Sequence, residues 1–217
     1  MITNPAIDNY LKDLIPERSP LLTRLEQEAH EENIPIIQLT GAQFLRTLLL
    51  IKRPKSILEV GTAIGYSTTW LAEAAPTAKI VTMELDEERI SRARATFKEA
   101  GLEDRIELIE GDATRGLADS YEFDCLFIDA AKGQYLTFLQ LYLPLLKEGG
   151  LVITDNVLYR GLVTDPQSAG KRQKKMVEKI DGFNKHLMGH PELETSIVPI
   201  GDGIAISVKQ TRGEGSA

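Results

Sequence analysis

From Ser56 onward the chain alternates short apolar runs with amphipathic stretches of helical period. Ser56–Val60, Lys79–Leu85, Arg105–Asp112, Phe123–Asp129 and Gly150–Asn156 are short and largely apolar, with glycines or acids at their ends, which predicts buried strands. Between them, Tyr66–Ala75, a stretch opened by Asp86 and stopped by Gly101, Gln134–Lys147 and Ala169–Met188 predict helices. Pro76 ends the first of these, because it cannot continue a helix. Helices placed between consecutive strands imply a parallel sheet. Thr195–Ile200 and Ile204–Lys209 are separated only by Gly201, Asp202 and Gly203, so this last pair predicts an antiparallel hairpin.

Ahead of Ser56, residues Ala6 to Ile51 read as helical, with apolar positions at Leu21, Leu22, Leu25 and Ala29. Pro35 interrupts that pattern by forcing the residue before it out of the helical region. The expected organisation is one α/β domain over 1–210, its first 52 residues a helical N-terminal extension, and a disordered tail over 211–217. The extension suits either a cover over a ligand cleft or a dimer surface, and the pattern does not separate the two.

The chemistry starts at the first strand. Ser56–Val60 runs into Gly61-Thr62-Ala63-Ile64-Gly65 and then a helix from Tyr66. Glycines let the backbone turn sharply and pass close to a ligand, and the helix aims free N–H groups at the turn. Glu59, Gly61 and Ser67 then surround a site for a polar small molecule. Glu84 closes the next strand, about 20 residues on, where an acid commonly binds a ribose diol. The combination indicates a nucleoside-containing cofactor. A nicotinamide site normally has a middle glycine for the pyrophosphate, and this loop lacks one.

Acids recur at the strand ends: Glu84, Asp112, Asp129 and Asp155, the last followed by Asn156. Each could simply cap a turn. Together they line the rim where open α/β sheets collect ligands. Asp112 with the Ala113 backbone suits an adenine edge. Asp129, Asp155 and Asn156 offer oxygen donors without His or Cys, which favours Mg²⁺, Mn²⁺ or Ca²⁺. Lys132 follows Asp129 by three residues. A lysine beside a dication and a cationic cofactor has its ammonium form disfavoured, which suits it to take a proton.

Composition narrows the remaining classes. The chain has 217 residues, 42% hydrophobic and 26% charged, ordinary for one globular domain. No apolar run approaches the ~20 residues of a membrane span. Cys125 is the only cysteine and lies in an apolar strand, which excludes a disulfide framework and points to core filler in a reducing cytoplasm. The N-terminus lacks the basic and apolar regions of a secretion signal. Net charge of −7 argues against a broad nucleic-acid surface, although Arg160 and the run Lys171–Lys175 form a local basic patch. Tyr135 or Tyr159 could stack on an unpaired base.

With Glu59-Val-Gly-Thr-x-x-Gly-Tyr-Ser67, Asp129-Ala-Ala-Lys-Gly-Gln-Tyr135 and Thr154-Asp-Asn-Val-Leu158 in place, the chain resembles the metal-dependent class I S-adenosylmethionine O-methyltransferases that include catechol and caffeoyl-CoA enzymes. The resemblance implies a Rossmann-like α/β fold, with a seven-stranded mostly parallel sheet, an antiparallel C-terminal hairpin and N-terminal helices. It implies S-adenosyl-L-methionine as cofactor, Mg²⁺ (or Mn²⁺ or Ca²⁺) on Asp129, Asp155 and Asn156, and Lys132 with Asp129 as catalytic residues. Its cofactor set is Glu59, Gly61, Thr62, Gly65, Tyr66, Ser67, Glu84, Leu85, Asp112, Ala113 and Asp129. A homodimer is common in such enzymes. Within them, Asp129–Tyr135, Asp155–Val163 and His190–Thr195 look closest to bacterial tRNA 5-hydroxyuridine methyltransferases, which implies the tRNA anticodon loop as partner and 5-methoxyuridine as product. The alternative acceptor is a small catechol-like or CoA-linked phenol. A nucleoside-binding regulatory module without turnover is the competing reading from outside enzymology.

Overall fold

The computed structural model describes residues 4–167 and 169–211. Beyond Thr211, the expected disordered tail lies outside the described residues. Seven strands form one sheet: β1 (Ser56–Val60), β2 (Lys79–Glu84), β3 (Ile106–Glu110), β4 (Phe123–Ile128), β5 (Leu146–Thr154), β6 (Leu193–Val198) and β7 (Ile204–Lys209). Their spatial order is β3-β2-β1-β4-β5-β7-β6, parallel from β3 through β5. β7 is antiparallel to both neighbours, as the short glycine turn predicts. The chain builds outward from β1 to β3, then returns to place β4 on the other side of β1. That reversal opens a crevice beyond the ends of β1 and β4, the usual ligand position in such sheets.

Helices cover both faces, so the parallel strands are buried on two sides and read as continuous apolar runs. On one face, α2 (Pro20–Glu32), α3 (Leu39–Lys52) and α4 (Tyr66–Ala74) pack Leu25, Leu45 and Trp70 against Ile57 and Ile153. On the other, α6 (Tyr135–Tyr142) and α7 (Lys171–Met188) pack Phe138 and Phe183 against Leu58, Val60 and Leu126. Helix starts follow their caps. Ser19 caps α2 ahead of Pro20, and Asp86 accepts from Arg89 N–H at 3.0 Å to open α5 (Glu87–Glu99). The short α1 (Pro5–Asp13) begins at Asn4 in the same manner.

Two expected boundaries move. The helix expected to reach Lys147 ends at Tyr142, where a 3₁₀ turn containing Pro144 replaces it, and β5 already begins at Leu146. Phe123 pairs with Leu146 and Cys125 with Leu151, so Lys147–Gly150 bulge out of the ladder, with Gly149 at φ +68°. The hairpin's first strand also starts two residues early, at Leu193, and stops before Pro199, which has no N–H for the ladder. No helix among the described residues is long and apolar enough to cross a membrane.

Candidate active site

A cavity of about 400 Å³ opens at the carboxyl ends of β1 to β4. Gly61, Glu84, Leu85, Asp112, Ala113, Asp129 and Lys132 line it, with Phe138 from α6 and Pro35 from the segment between α2 and α3. The N-terminal extension therefore contributes one residue to the wall of the cleft. Pro35 is a lining residue that the strand-end pattern could not reveal.

The glycine loop is fixed by backbone bonds. Gly61 and Thr62 N–H both donate to Met83 O, at 3.1 and 3.2 Å. Ala63 N–H donates to Glu84 Oε2 at 2.8 Å, while Leu85 and Asp86 N–H donate to Glu84 Oε1. Glu84 thus binds the loop after β1 to the end of β2. The fold itself requires Gly61: a Cβ at its φ of +105° would stand 2.3 Å from Asp129 O. The close neighbour is the tip of β4. At Gly65, φ +85°, the obstacle is the Phe97 ring at 2.8 Å.

Several expected cofactor residues lie beneath the loop, away from the cavity lining. Glu59 is 0% exposed, and its carboxylate accepts from Ser67 Oγ and Thr82 Oγ1 at 2.6 Å and from Thr68 Oγ1. Thr62 Oγ1 meets Thr82 Oγ1 at 2.6 Å, and the Tyr66 hydroxyl donates to Glu26 at 2.9 Å. Sequence reading missed Thr68 and Thr82; the available signal was a threonine within the apolar run Ile80–Met83 of β2. Burial pushes the Glu59 carboxyl up to about 7, against the pull of the three hydroxyls. Its folded value exceeds the ordinary 4.5, so the native state holds this proton more tightly than the unfolded chain does. That contribution is complete below pH 4.5 and is lost as pH rises to about 7. Each pH unit inside the window removes up to about 1.4 kcal/mol. Urea melts at pH 5 and pH 8 are expected to differ less in Glu59→Gln than in the native chain; an unchanged difference would contradict the assignment.

Asp112 accepts from Thr114 N–H at 2.9 Å, which holds its carboxyl below the usual range. The Tyr142 hydroxyl donates to Ala113 O and approaches Met83 Sδ, fixing the backbone at that end of the cavity.

At the other end, β4 and β5 present their acids side by side. Asp129 N–H donates to Val60 O and Asp155 N–H to Ile128 O, at 3.0 and 3.1 Å, so the three strand tips are joined. Asp155 is 2% exposed. Its Oδ1 accepts from Asn156 N–H at 2.7 Å, and its Oδ2 is buried without a hydrogen-bond partner. Lys132 Nζ donates to Asn156 Oδ1. Burial and then the Asp129 charge push the Asp155 carboxyl well above its ordinary range, against the Asn156 N–H and Lys132. Burial also raises Asp129, against Lys132. Two desolvated carboxyls and an orphaned oxygen call for positive charge. No cluster of three or more His, Cys, Asp or Glu occurs among the described residues; the third donor here is the Asn156 amide. Two carboxylates and an amide, with no soft ligand, fit a hard oxygen-seeking dication.

Tyr135, expected as a possible stacking platform, is buried. Its hydroxyl donates to Asp155 O at 2.9 Å and its ring packs edge-on against Phe183. Tyr159 is only partly buried. Cys125 is buried, and burial pushes its thiol up to about 12, in keeping with core filler.

Known proteins resemble this chain over nearly its whole length. The O-methyltransferase family profile matches residues 13–210. A catechol O-methyltransferase from Niastella koreensis is 31% identical, over 94% of this chain and 96% of its own. Caffeoyl-CoA O-methyltransferase 2 from Populus trichocarpa is 34% identical over 82% of this chain and 76% of its own. Among solved structures, the O-methyltransferase from Bacillus cereus in complex with SAH superposes with a TM-score of 0.80 at 28% identity, over 94% of this chain and 97% of its own. By sequence profile, by curated relatives and by fold, the chain belongs to the O-methyltransferase family and is an enzyme of that class.

Proposed function

We propose that the chain moves the methyl group of S-adenosyl-L-methionine to a hydroxyl of a small catechol-like or CoA-linked phenol, with a divalent cation on Asp129, Asp155 and Asn156. The observation that carries this reading is the Asp129–Asp155 pair, with the buried and orphaned Asp155 Oδ2, beside a cavity of nucleoside size that Asp129 lines. Relatives named for catechol and caffeoyl-CoA favour the phenolic acceptor over tRNA.

Glu84 suits the ribose: its two oxygens accept three backbone N–H groups and retain acceptor capacity for a hydroxyl. Asp112, Ala113 and Phe138 suit the base. The cofactor supplies an electrophilic methyl, and the cation, when bound, supplies Lewis acidity toward the acceptor oxygens. Lys132, as the neutral amine, takes the proton of the acceptor hydroxyl on Nζ. Asp129 belongs to both the cavity lining and the carboxyl pair, so it fixes one pocket against the other. Pro35 and Phe138 give the cavity part of its apolar lining.

One observation favours an anionic acceptor. The N-terminal turns of α7 carry Lys171, Lys174 and Lys175, and α7 packs on the loop bearing Arg160 and on the turn at Lys132–Gln134. Lys179 Nζ donates to Gly133 O at 3.0 Å, which fastens that helix to the mouth of the site. The basic residues of this helix suit the phosphates of CoA or, in the second reading, those of a tRNA anticodon loop carrying 5-hydroxyuridine. Labelled methyl transfer to free catechols, a CoA-linked phenol and undermodified tRNA separates them. Lys174→Glu with Lys175→Glu is expected to raise KM for the CoA-linked acceptor about tenfold while leaving free catechol unchanged. Incorporation confined to tRNA, falling steeply with salt, would replace the phenol reading.

A further inference from the structure

The loop that carries Asn156 is bent against the preference of its own residues. Asn156, Tyr159 and Arg160 have φ of +59°, +43° and +58°, a left-handed conformation that non-glycine residues hold only when their surroundings enforce it. The enforcement comes from the turn between β6 and β7. Val157 N–H donates to Gly203 O and Leu158 N–H to Asp202 O, each at 3.0 Å. The Asp202 carboxylate then accepts from Arg160 N–H. One residue therefore fastens the bend twice, by main chain at Leu158 and by side chain at Arg160. Gly203 makes the approach possible: at its φ of +87° a Cβ would stand 2.4 Å from Leu158 Cγ. Other bonds hold the neighbouring positions. Asn184 Nδ2 donates to Val157 O at 2.7 Å, and the Tyr135 hydroxyl donates to Asp155 O. Among the described residues, the Asp202 carboxylate is the one side chain that accepts from the Arg160 N–H.

We propose that Asp202 is a positioning residue for the acceptor side of the active site. Its carboxylate, through Arg160 N–H, holds the left-handed bend that sets Asn156 beside Asp155. This rests on reading Asp129, Asp155 and Asn156 as a cation site. In this reading Asp202 acts through the backbone, its Oδ1 accepting from Arg160 N–H. Asp202 also carries charge that reaches Asp155 and Tyr135, so the test must separate the hydrogen bond from the charge.

Calorimetric titration of the full, cofactor-free chain with Mn²⁺ and, separately, with S-adenosylhomocysteine makes that separation. Asp202→Ala is expected to weaken Mn²⁺ by about tenfold or more, the usual range for removing a group that orients a ligand. Asp202→Asn keeps an oxygen that can accept from Arg160 N–H, and is expected to stay within about threefold of the native chain. S-adenosylhomocysteine affinity should change less than about twofold in both, because the strand tips that line its cavity are bonded to one another. Native-like Mn²⁺ binding by Asp202→Ala overturns the proposal. So does Asp202→Asn failing as badly as Asp202→Ala, since charge would then be the cause, or joint loss of both ligands, since the fold would then have loosened generally. If the native chain itself takes no Mn²⁺ and Asp129→Ala changes nothing, the cation reading has failed, an outcome distinct from native binding that ignores Asp202.

Discussion

Asp129→Ala is expected to lower turnover on a catechol by about 10³-fold while leaving the protein folded and S-adenosylhomocysteine bound within several-fold. The fold survives because Asp129 is held by its main chain, whose N–H donates to Val60 O. Function does not survive, because the side chain serves two purposes. It lines the cofactor cavity, and its charge is the largest influence after burial on Asp155. Removing it leaves Asp155 and Asn156 as the remaining oxygens, too few to hold a dication against water in an open site. It also removes a charge facing Lys132. Lys132→Met keeps both carboxyls and is expected to cost about 10²- to 10⁴-fold in turnover, the range for losing a positioned base, with cation affinity largely kept. Steady-state kinetics paired with Mn²⁺ titration tells the two apart. Turnover of Asp129→Ala within tenfold of the native chain would remove the basis of the cation-assisted reading.

The parts of this site that could be read from the chain are those whose chemistry is local. An acid at the end of an apolar run lies on the carboxyl rim because strand direction places it there, so Glu84, Asp112, Asp129 and Asp155 could be assigned a position without coordinates. Three kinds of fact were hidden. Glu59 precedes the glycine loop in sequence as a ligand residue would, yet Ser67, Thr68 and Thr82 enclose it; that enclosure depends on α4 and β2 closing over β1. Tyr135 adjoins Lys132 and looked available, but the packing of α6 against α7 turns its ring onto Phe183. Asp202 sits in a turn that any hairpin could use, and its grip on Arg160 exists only because β7 inserts between β5 and β6. The helix expected to reach Lys147 failed for a simpler reason. Its apolar run continues through Leu145 and Leu146, and periodicity alone cannot tell the end of a helix from the start of a buried strand.

Gly61→Ala is expected to damage stability and catalysis together. A methyl group at φ +105° has two penalties: an L-residue is strained there, and its Cβ would lie 2.3 Å from Asp129 O and 3.1 Å from Ala130 Cα. Both obstacles are backbone, so no rotamer change relieves them and the tips of β1 and β4 must part. The Asp129 N–H bond to Val60 O lies at that point, and the loss is expected to be about 3 kcal/mol, lowering Tm by roughly 6–12 °C for a chain of this length. Displacing the β4 tip moves Asp129, hence the carboxyl pair, while the same shift moves the loop that faces the cofactor. Cofactor-product affinity, Mn²⁺ affinity and turnover should therefore all fall. Gly65→Ala is the informative partner: its obstacle is the Phe97 ring, a side chain that can rotate or be trimmed. Phe97→Leu is expected to restore part of the Tm lost in Gly65→Ala and none of that lost in Gly61→Ala. Thermal melts and the two titrations on these four variants decide the matter. A Gly61→Ala chain with native Tm and native Mn²⁺ affinity would show that the β1 and β4 tips are not coupled, and that the two halves of the site are set independently.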